Sequence, residues 1–233
     1  MPSACVPRIT RAEPLGTRGL RVRVHLDRGE AFEVALEAVE RTGLGVGDDL
    51  PPARHRELLD VDADVRIREA ALNLISYRAR GRVELERKLR RKGFGPERVE
   101  GCVARLEERG LVDDAAVAAA FVRDRLRHRP KGRVQLTSEL RAKGIAAETA
   151  EDVVHEVFEA EETTDSVLAA EVAEGWVARQ NPDLLRSLVD EEWTRDRERA
   201  ERRLRSYLGR RGFRGDALRL GLERAREAAE ERA

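Results

Sequence analysis

Between residues 20 and 26 the chain alternates strictly, with Leu20, Val22, Val24 and Leu26 separated by Arg21, Arg23 and His25. That is the period of a half-buried strand. Residues 27–30 read as a turn, and residues 31–34 are expected to return as the second arm of a hairpin. Because an isolated hairpin is marginal, residues 8–13 are expected to pair beside it. A short helix over 36–41, a loop with Gly43, Gly45 and Gly47, and a polar helix opened by Pro51 and Pro52 complete this part.

From Asp64 the period becomes helical, with Ile67, Ala71, Leu74 and Ile75 at relative positions 0, 4, 7 and 8. Asp64 is expected to be an N-cap. A second helix follows Gly81, presents Leu85 and Leu89 on one face, and stops at Lys92, Gly93 and Phe94, the chemistry of a glycine-terminated helix. Pro96 opens a third, with Val99, Cys102, Val103 and Leu106 on one side, ended by Gly110.

This three-helix unit recurs. A shift of 51 carries Leu85, Leu89, Lys92, Gly93 and Phe94 onto Leu136, Leu140, Lys143, Gly144 and Ile145. A shift of 119 carries them onto Leu204, Leu208, Arg211, Gly212 and Phe213. The interval from first to second copy is 144 − 93 = 51 and from second to third 212 − 144 = 68, so the last copy holds 17 more residues, expected around 181–193. The expected fold is mostly α: three tandem three-helix repeats in an elongated body, with a small N-terminal α/β segment built on the β-hairpin. The parts are placed at 1–63, 64–112, 113–162 and 163–233. So small a unit buries little by itself, and stacking of neighbours should supply much of the stability.

Composition sharpens this. Aromatic residues are 4% of the 233 and charged residues 39%, which suits charge-laced helices with thin Ala, Leu and Val cores rather than a large sandwich or barrel. Lys plus Arg and Asp plus Glu both total 45, so any polyanion binding must come from segregated charge. It is segregated: residues 78–92 carry eight Lys or Arg against two acids, 123–143 eight against two, and 195–214 nine against three, each a balance of +6. Residues 146–165 hold eight acids and no Lys or Arg.

Basic residues near helix C-termini are favoured by the macrodipole, so one such cation proves little. Three-fold recurrence favours a surface that meets phosphates or carboxylates. The expected contacts are Arg87, Lys88, Arg91, Lys92, Arg133, Arg141, Lys143, Arg202, Arg203, Arg205, Arg210 and Arg211, lining one concave face. A helix-turn-helix docking would send the third helix into DNA. In the middle copy that helix bears Glu148, Glu151, Asp152 and Glu156, which phosphates repel.

The chain has no GxxxxGK[ST], GxGxxG or HExxH pattern. His25, His55, His128 and His155 are scattered, and Cys5 and Cys102 form no CxxC pair. No catalysis, cofactor or metal is expected, and both cysteines are read as reduced thiols. No apolar run reaches the roughly 20 residues of a membrane span, so a cytoplasmic protein is expected; it is also expected to be a monomer. Trp176 continues Leu168 and Val172 at four-residue steps and is expected in a core.

Gly110, Leu111, Val112, Asp113 and Asp114, then Phe121, Val122, Arg125, Lys131, Gly132, Leu136, Leu140, Lys143, Gly144 and Ile145, resemble the RecX regulatory proteins. Leu72, Leu74, Ser76, Arg82, Glu84, Leu85, Lys88, Leu89, Lys92, Gly93 and Phe94 are similar to that family's first repeat, and residues 202–213 to its third. Two departures stand out: Gly81 where a Ser or Thr cap is common, and Arg133 and Val134 where a proline is frequent. The resemblance implies a non-catalytic protein of DNA repair, recombination and the SOS response. Its implied partner is the RecA recombinase filament on single-stranded DNA, whose groove it would occupy and whose activity it would restrain. The alternative is a helical-repeat protein that binds DNA directly, without RecA.

Overall fold

A computed structural model describes residues 6–16, 19–190 and 192–232; Cys5 lies outside them. The chain divides into two compact units, one of residues up to 79 with 85–112, the other of residues 80–84 with 113–233.

The first unit opens with strands β1 (Ile9–Leu15), β2 (Arg21–Leu26) and β3 (Phe32–Ala35). They form an antiparallel sheet in that order, with Ala12 opposite Val24 and Val22 opposite Val34. The alternation seen in the sequence buries Val22, Val24 and Val34 against Ala38 of helix α1 (Leu36–Thr42) and Leu58 and Val65 of helix α2 (Pro52–Tyr77). Asp62 of α2, 4% exposed, accepts the Ala35 N–H at 2.6 Å where β3 passes into α1, and Arg21 stands 3.5 Å from the same carboxylate oxygen.

Asp64 is not an N-cap. Helix α2 runs unbroken through it for 26 residues, because no Gly or Pro interrupts residues 53–77. Its first half packs into the sheet's core, while Ile67 and Ala71 enter a separate cluster with Leu85, Leu89, Val99, Val103 and Leu106. The Asp64 carboxylate instead takes a hydrogen bond from Arg98, whose other terminal nitrogen reaches Asp60 at 3.0 Å. The remaining helices of this repeat are α3 (Arg82–Arg91) and α4 (Pro96–Glu108).

The second unit holds α5 (Asp114–His128), α6 (Arg133–Ala142), α7 (Ala147–Ala160), α8 (Asp165–Val177), α9 (Pro182–Val189), α10 (Arg195–Gly209) and α11 (Gly215–Glu230). One core runs through it, from Val122, Leu136 and Phe158 to Trp176, Leu204, Phe213 and Leu222. The 17 added residues contain α9, whose Leu185 and Leu188 are buried in that core, so the third copy has four helices. Each second helix ends at a glycine with φ near 90°, namely Gly93, Gly144 and Gly212. There the next residue donates back to the last core leucine: Phe94 to Leu89, Ile145 to Leu140 and Phe213 to Leu208.

Helices α3 and α6 begin after Gly81 and Gly132, which have no side chain to cap with. The cap comes from the next repeat. Arg82 N–H donates to Asp114 Oδ1 at 2.7 Å, and 51 residues on Arg133 N–H donates to Asp165 Oδ1 at 2.9 Å. A Cβ on Gly81 would lie 2.7 Å from Asp114 Oδ1, and one on Gly132 would lie 3.0 Å from the Gly212 carbonyl oxygen. Gly81 therefore needs no capping side chain of its own, because Asp114 fills the position from outside. Asp165→Ala is expected to lower the unfolding free energy by about 1 kcal/mol, the worth of a cap at a helix N-terminus. Gly132→Ser should not restore it, because the serine Cβ has no room; chemical denaturation of the pair of variants checks both.

Candidate partner-binding surface

On α3, burial of Leu85 and Leu89 turns Arg87, Arg91 and Lys92 into solvent and leaves Lys88 half-buried. On α6, Leu136 and Leu140 are buried and Arg141 and Lys143 exposed, while the half-buried Arg133 lays its guanidinium over the Phe158 ring at 4.7 Å. On α10, Leu204 and Leu208 face inward and Arg202, Arg203, Arg205 and Arg210 outward; Arg211 stacks on Tyr207 at 3.7 Å. Among the described residues, Arg202 alone of these twelve has a carboxylate partner, Glu198. Arg133, Lys143 and Arg211 lie over aromatic rings, and exposed cations, as most of the rest are, contribute little to folding.

The charge does not recur position by position. Moved by 51, Lys88 falls on Glu139 and Arg91 on Ala142; of the first copy's four candidate contacts only Lys92 stays basic in all three copies, as Lys143 and Arg211. What repeats is a basic helix with a cation just before the terminating glycine.

The middle copy has a feature missing from the twelve. The Phe121 ring lies under both Arg125, at 4.4 Å, and Lys143, at 4.9 Å. Glu139 anchors this cluster, bonded to Lys131, accepting from Gln135 at 3.1 Å and standing 3.5 Å from Arg125. Burial raises the Glu139 pKa, but the hydrogen bonds from Lys131 and Gln135 and the Lys131 charge outweigh it and hold the carboxyl below its ordinary value. A depressed pKa stabilises the fold above the unfolded value of 4.5, and that contribution is lost as pH falls below it. Glu139→Gln should therefore lower the melting temperature at pH 7 and converge with the wild type in acid. Equal differences at both pH values would contradict it. Phe121 and Arg125 lie on α5, Lys131 in the loop after it and Glu139 on α6; charge counting over 123–143 took in the charged members but not the ring between them.

On α7, Glu148, Glu151, Asp152 and Glu156 are all exposed, a face that repels phosphates, as the sequence indicates. Trp176 is 6% exposed in the core, whereas Trp193 is 65% exposed with Arg197 over its ring at 5.2 Å. Cys102 is a buried free thiol whose pKa burial raises. Among the described residues no three His, Cys, Asp or Glu side chains gather as a metal site, and no helix is long and apolar enough to cross a membrane.

Family models match twice: the first three-helix domain of RecX over residues 68–106 and the second over residues 113–154. A Regulatory protein RecX of Halorhodospira halophila is 34% identical over 165 residues, which cover 71% of this chain and 91% of that one. The chain belongs to the RecX family. Another Regulatory protein RecX, from Amycolatopsis mediterranei, is 32% identical over 70% of this chain and 83% of its own. The fold agrees with a crystal structure of regulatory protein RecX, at a TM-score of 0.70 and 24% identity over 94% of this chain and 99% of that one. The two RecX domain matches take in α3 and α6, the helices joined to the following repeat by Asp114 and Asp165.

Proposed function

We propose that this chain is a non-catalytic, cytoplasmic regulator that binds the RecA recombinase filament on single-stranded DNA and restrains recombination. Membership of a family whose relatives are called regulatory proteins supports a regulatory role. The observation that carries the contact surface is the set of exposed cations at α3, α6 and α10, of which, among the described residues, Arg202 alone has a carboxylate partner. Each set sits on a helix whose opposite face is locked into a core by two leucines, so the cations are presented on rigid backbone. Arg is suited to bidentate pairing with phosphate or carboxylate, the two anionic groups a protein–DNA filament displays.

Charge reversal at Arg91 and Lys92 should weaken inhibition of RecA-driven strand exchange by roughly tenfold or more, since each lost charge-assisted contact is worth about 1.5–3 kcal/mol. Unchanged inhibition by the double variant would remove α3 from the surface. Binding to bare single-stranded DNA and to RecA-coated DNA at one salt concentration separates this reading from direct DNA binding. A preference for coated DNA supports the filament, and equal affinity supports DNA alone.

A further inference from the structure

In the second unit a cavity of about 520 Å³ opens where the end of α5 meets α8 and α10. Its lining includes His128, Arg129, Arg179, Tyr207 and Arg211, the His128 ring nitrogen being engaged by Asp124. Arg179 Nη2 donates to the Tyr207 hydroxyl oxygen at 2.8 Å. Arg211 lies over the same ring and donates to the Tyr207 carbonyl at 3.4 Å. With the phenol oxygen accepting from Arg179, its own O–H is left to donate.

The C-termini of α5, α8 and α10 each favour a cation, which accounts for Arg129, Arg179 and Arg211 singly but not for three such ends opening into one cavity. Among the described residues none of Arg129, Arg179 and Arg211 has a carboxylate partner. The one acid in the wall, Glu171, precedes Arg179 by eight residues, about 12 Å along α8. Between them Gly175 leaves the floor bare, and the Arg179 guanidinium lies back over it, 3.6 Å from where a Cβ would stand. The end of the cavity at Arg179 and Tyr207 therefore offers guanidinium and phenol donors, with Glu171 set apart from it along α8.

We propose that this end of the cavity binds a phosphate group, with Arg129 and Arg179 pairing its oxygens, the Tyr207 hydroxyl donating to a third, and Arg211 fixing the Tyr207 ring. A phosphate presents several strong acceptors and no need for one, which this donor set matches. The group belongs either to the backbone of a single DNA strand or to a free nucleotide. The proposal draws on the regulator reading only in that such a protein meets single-stranded DNA.

The test is calorimetric titration of the full-length chain, at low salt, with inorganic phosphate, ADP and a short oligothymidylate. The variants are Arg129→Ala with Arg179→Ala, and Tyr207→Phe, which keeps the stacked ring; Arg186→Ala, at an exposed position of α9, serves as control, and thermal melts verify folding. For a phosphate or ADP site, the double variant should bind about tenfold or more weakly and Tyr207→Phe several-fold more weakly. For a strand site, only the oligonucleotide responds, and its log affinity against log salt loses about 0.7 in slope per phosphate contact removed. The proposal is overturned if no probe binds the wild type, or if every folded variant binds as the wild type does. These titrations contain no RecA. Loss of filament inhibition elsewhere with phosphate binding intact would overturn the regulator reading alone, and the reverse would overturn this site alone.

Discussion

Gly212→Ala is expected to destabilise the second unit by about 2–5 kcal/mol, against about 1–2 kcal/mol for Gly93→Ala. Both glycines end a second helix with nearly the same φ, +88° and +91°, so the strain of a left-handed alanine is common to the two. Their surroundings differ. Nothing lies within 4 Å of a Cβ built on Gly93, whereas one on Gly212 would meet Gln135 Cβ at 2.6 Å and its backbone nitrogen at 3.0 Å. The contact cannot relax by swinging a flexible tip away, because it is made by backbone and Cβ in the first turn of α6. Arg211 carbonyl also accepts the Gly132 N–H at 2.8 Å at this junction, so displacing Gly212 disturbs a backbone hydrogen bond between repeats. Gly215→Ala, in the same unit, also with positive φ and in open space, controls for the unit's own stability. Denaturant unfolding that shows equal losses at 212, 93 and 215 would refute the close junction.

Asp62→Ala should cost the first unit about 2–4 kcal/mol, more than any exposed charge in it, because a buried N–H and a partly desolvated guanidinium lose their acceptor together. The carboxylate joins α2 to the point where β3 becomes α1, through the Ala35 N–H at 2.6 Å and Arg21 at 3.5 Å. Ala35 is itself buried, so water does not replace the lost acceptor. Arg21 is about one-third exposed and can turn to solvent, which holds the loss below that of a wholly buried pair. Asp62→Asn retains one acceptor oxygen and should recover roughly half the difference, if the hydrogen bond rather than the charge dominates. Unfolding followed by circular dichroism decides this, and an alanine variant as stable as the wild type would remove the strut.

Sequence patterning placed the secondary elements well where each served a single core. Val22, Val24 and Val34 alternate because one face of one sheet is buried, and Leu85 and Leu89 repeat because α3 buries one stripe. It failed at Asp64, where α2 passes from one core to another. The apolar face changes partners there, and the change resembles a helix start. The candidate surface was legible in part: local charge counts found the basic helices, and most of their cations are exposed. Arg133 and Arg211, however, spend their guanidinium faces on Phe158 and Tyr207. The cavity around Tyr207 gathers residues from 128 to 211, which no linear window joins, and in the Phe121 cluster charge counting missed the aromatic ring.

By itself, the sequence determined that the body is a repeated helical unit with basic second helices, stopped at Gly93, Gly144 and Gly212. Those features are set by nearest neighbours along the chain: apolar period, helix-stopping glycine and local charge. Tertiary structure alone decided that Asp114 and Asp165 cap the helices of the preceding repeat, that Gly81, Gly132 and Gly212 must remain glycine for want of space, and that the inserted segment becomes α9. These depend on distances between residues 32 to 80 positions apart, or on a core built by other helices, and local pattern carries no record of either.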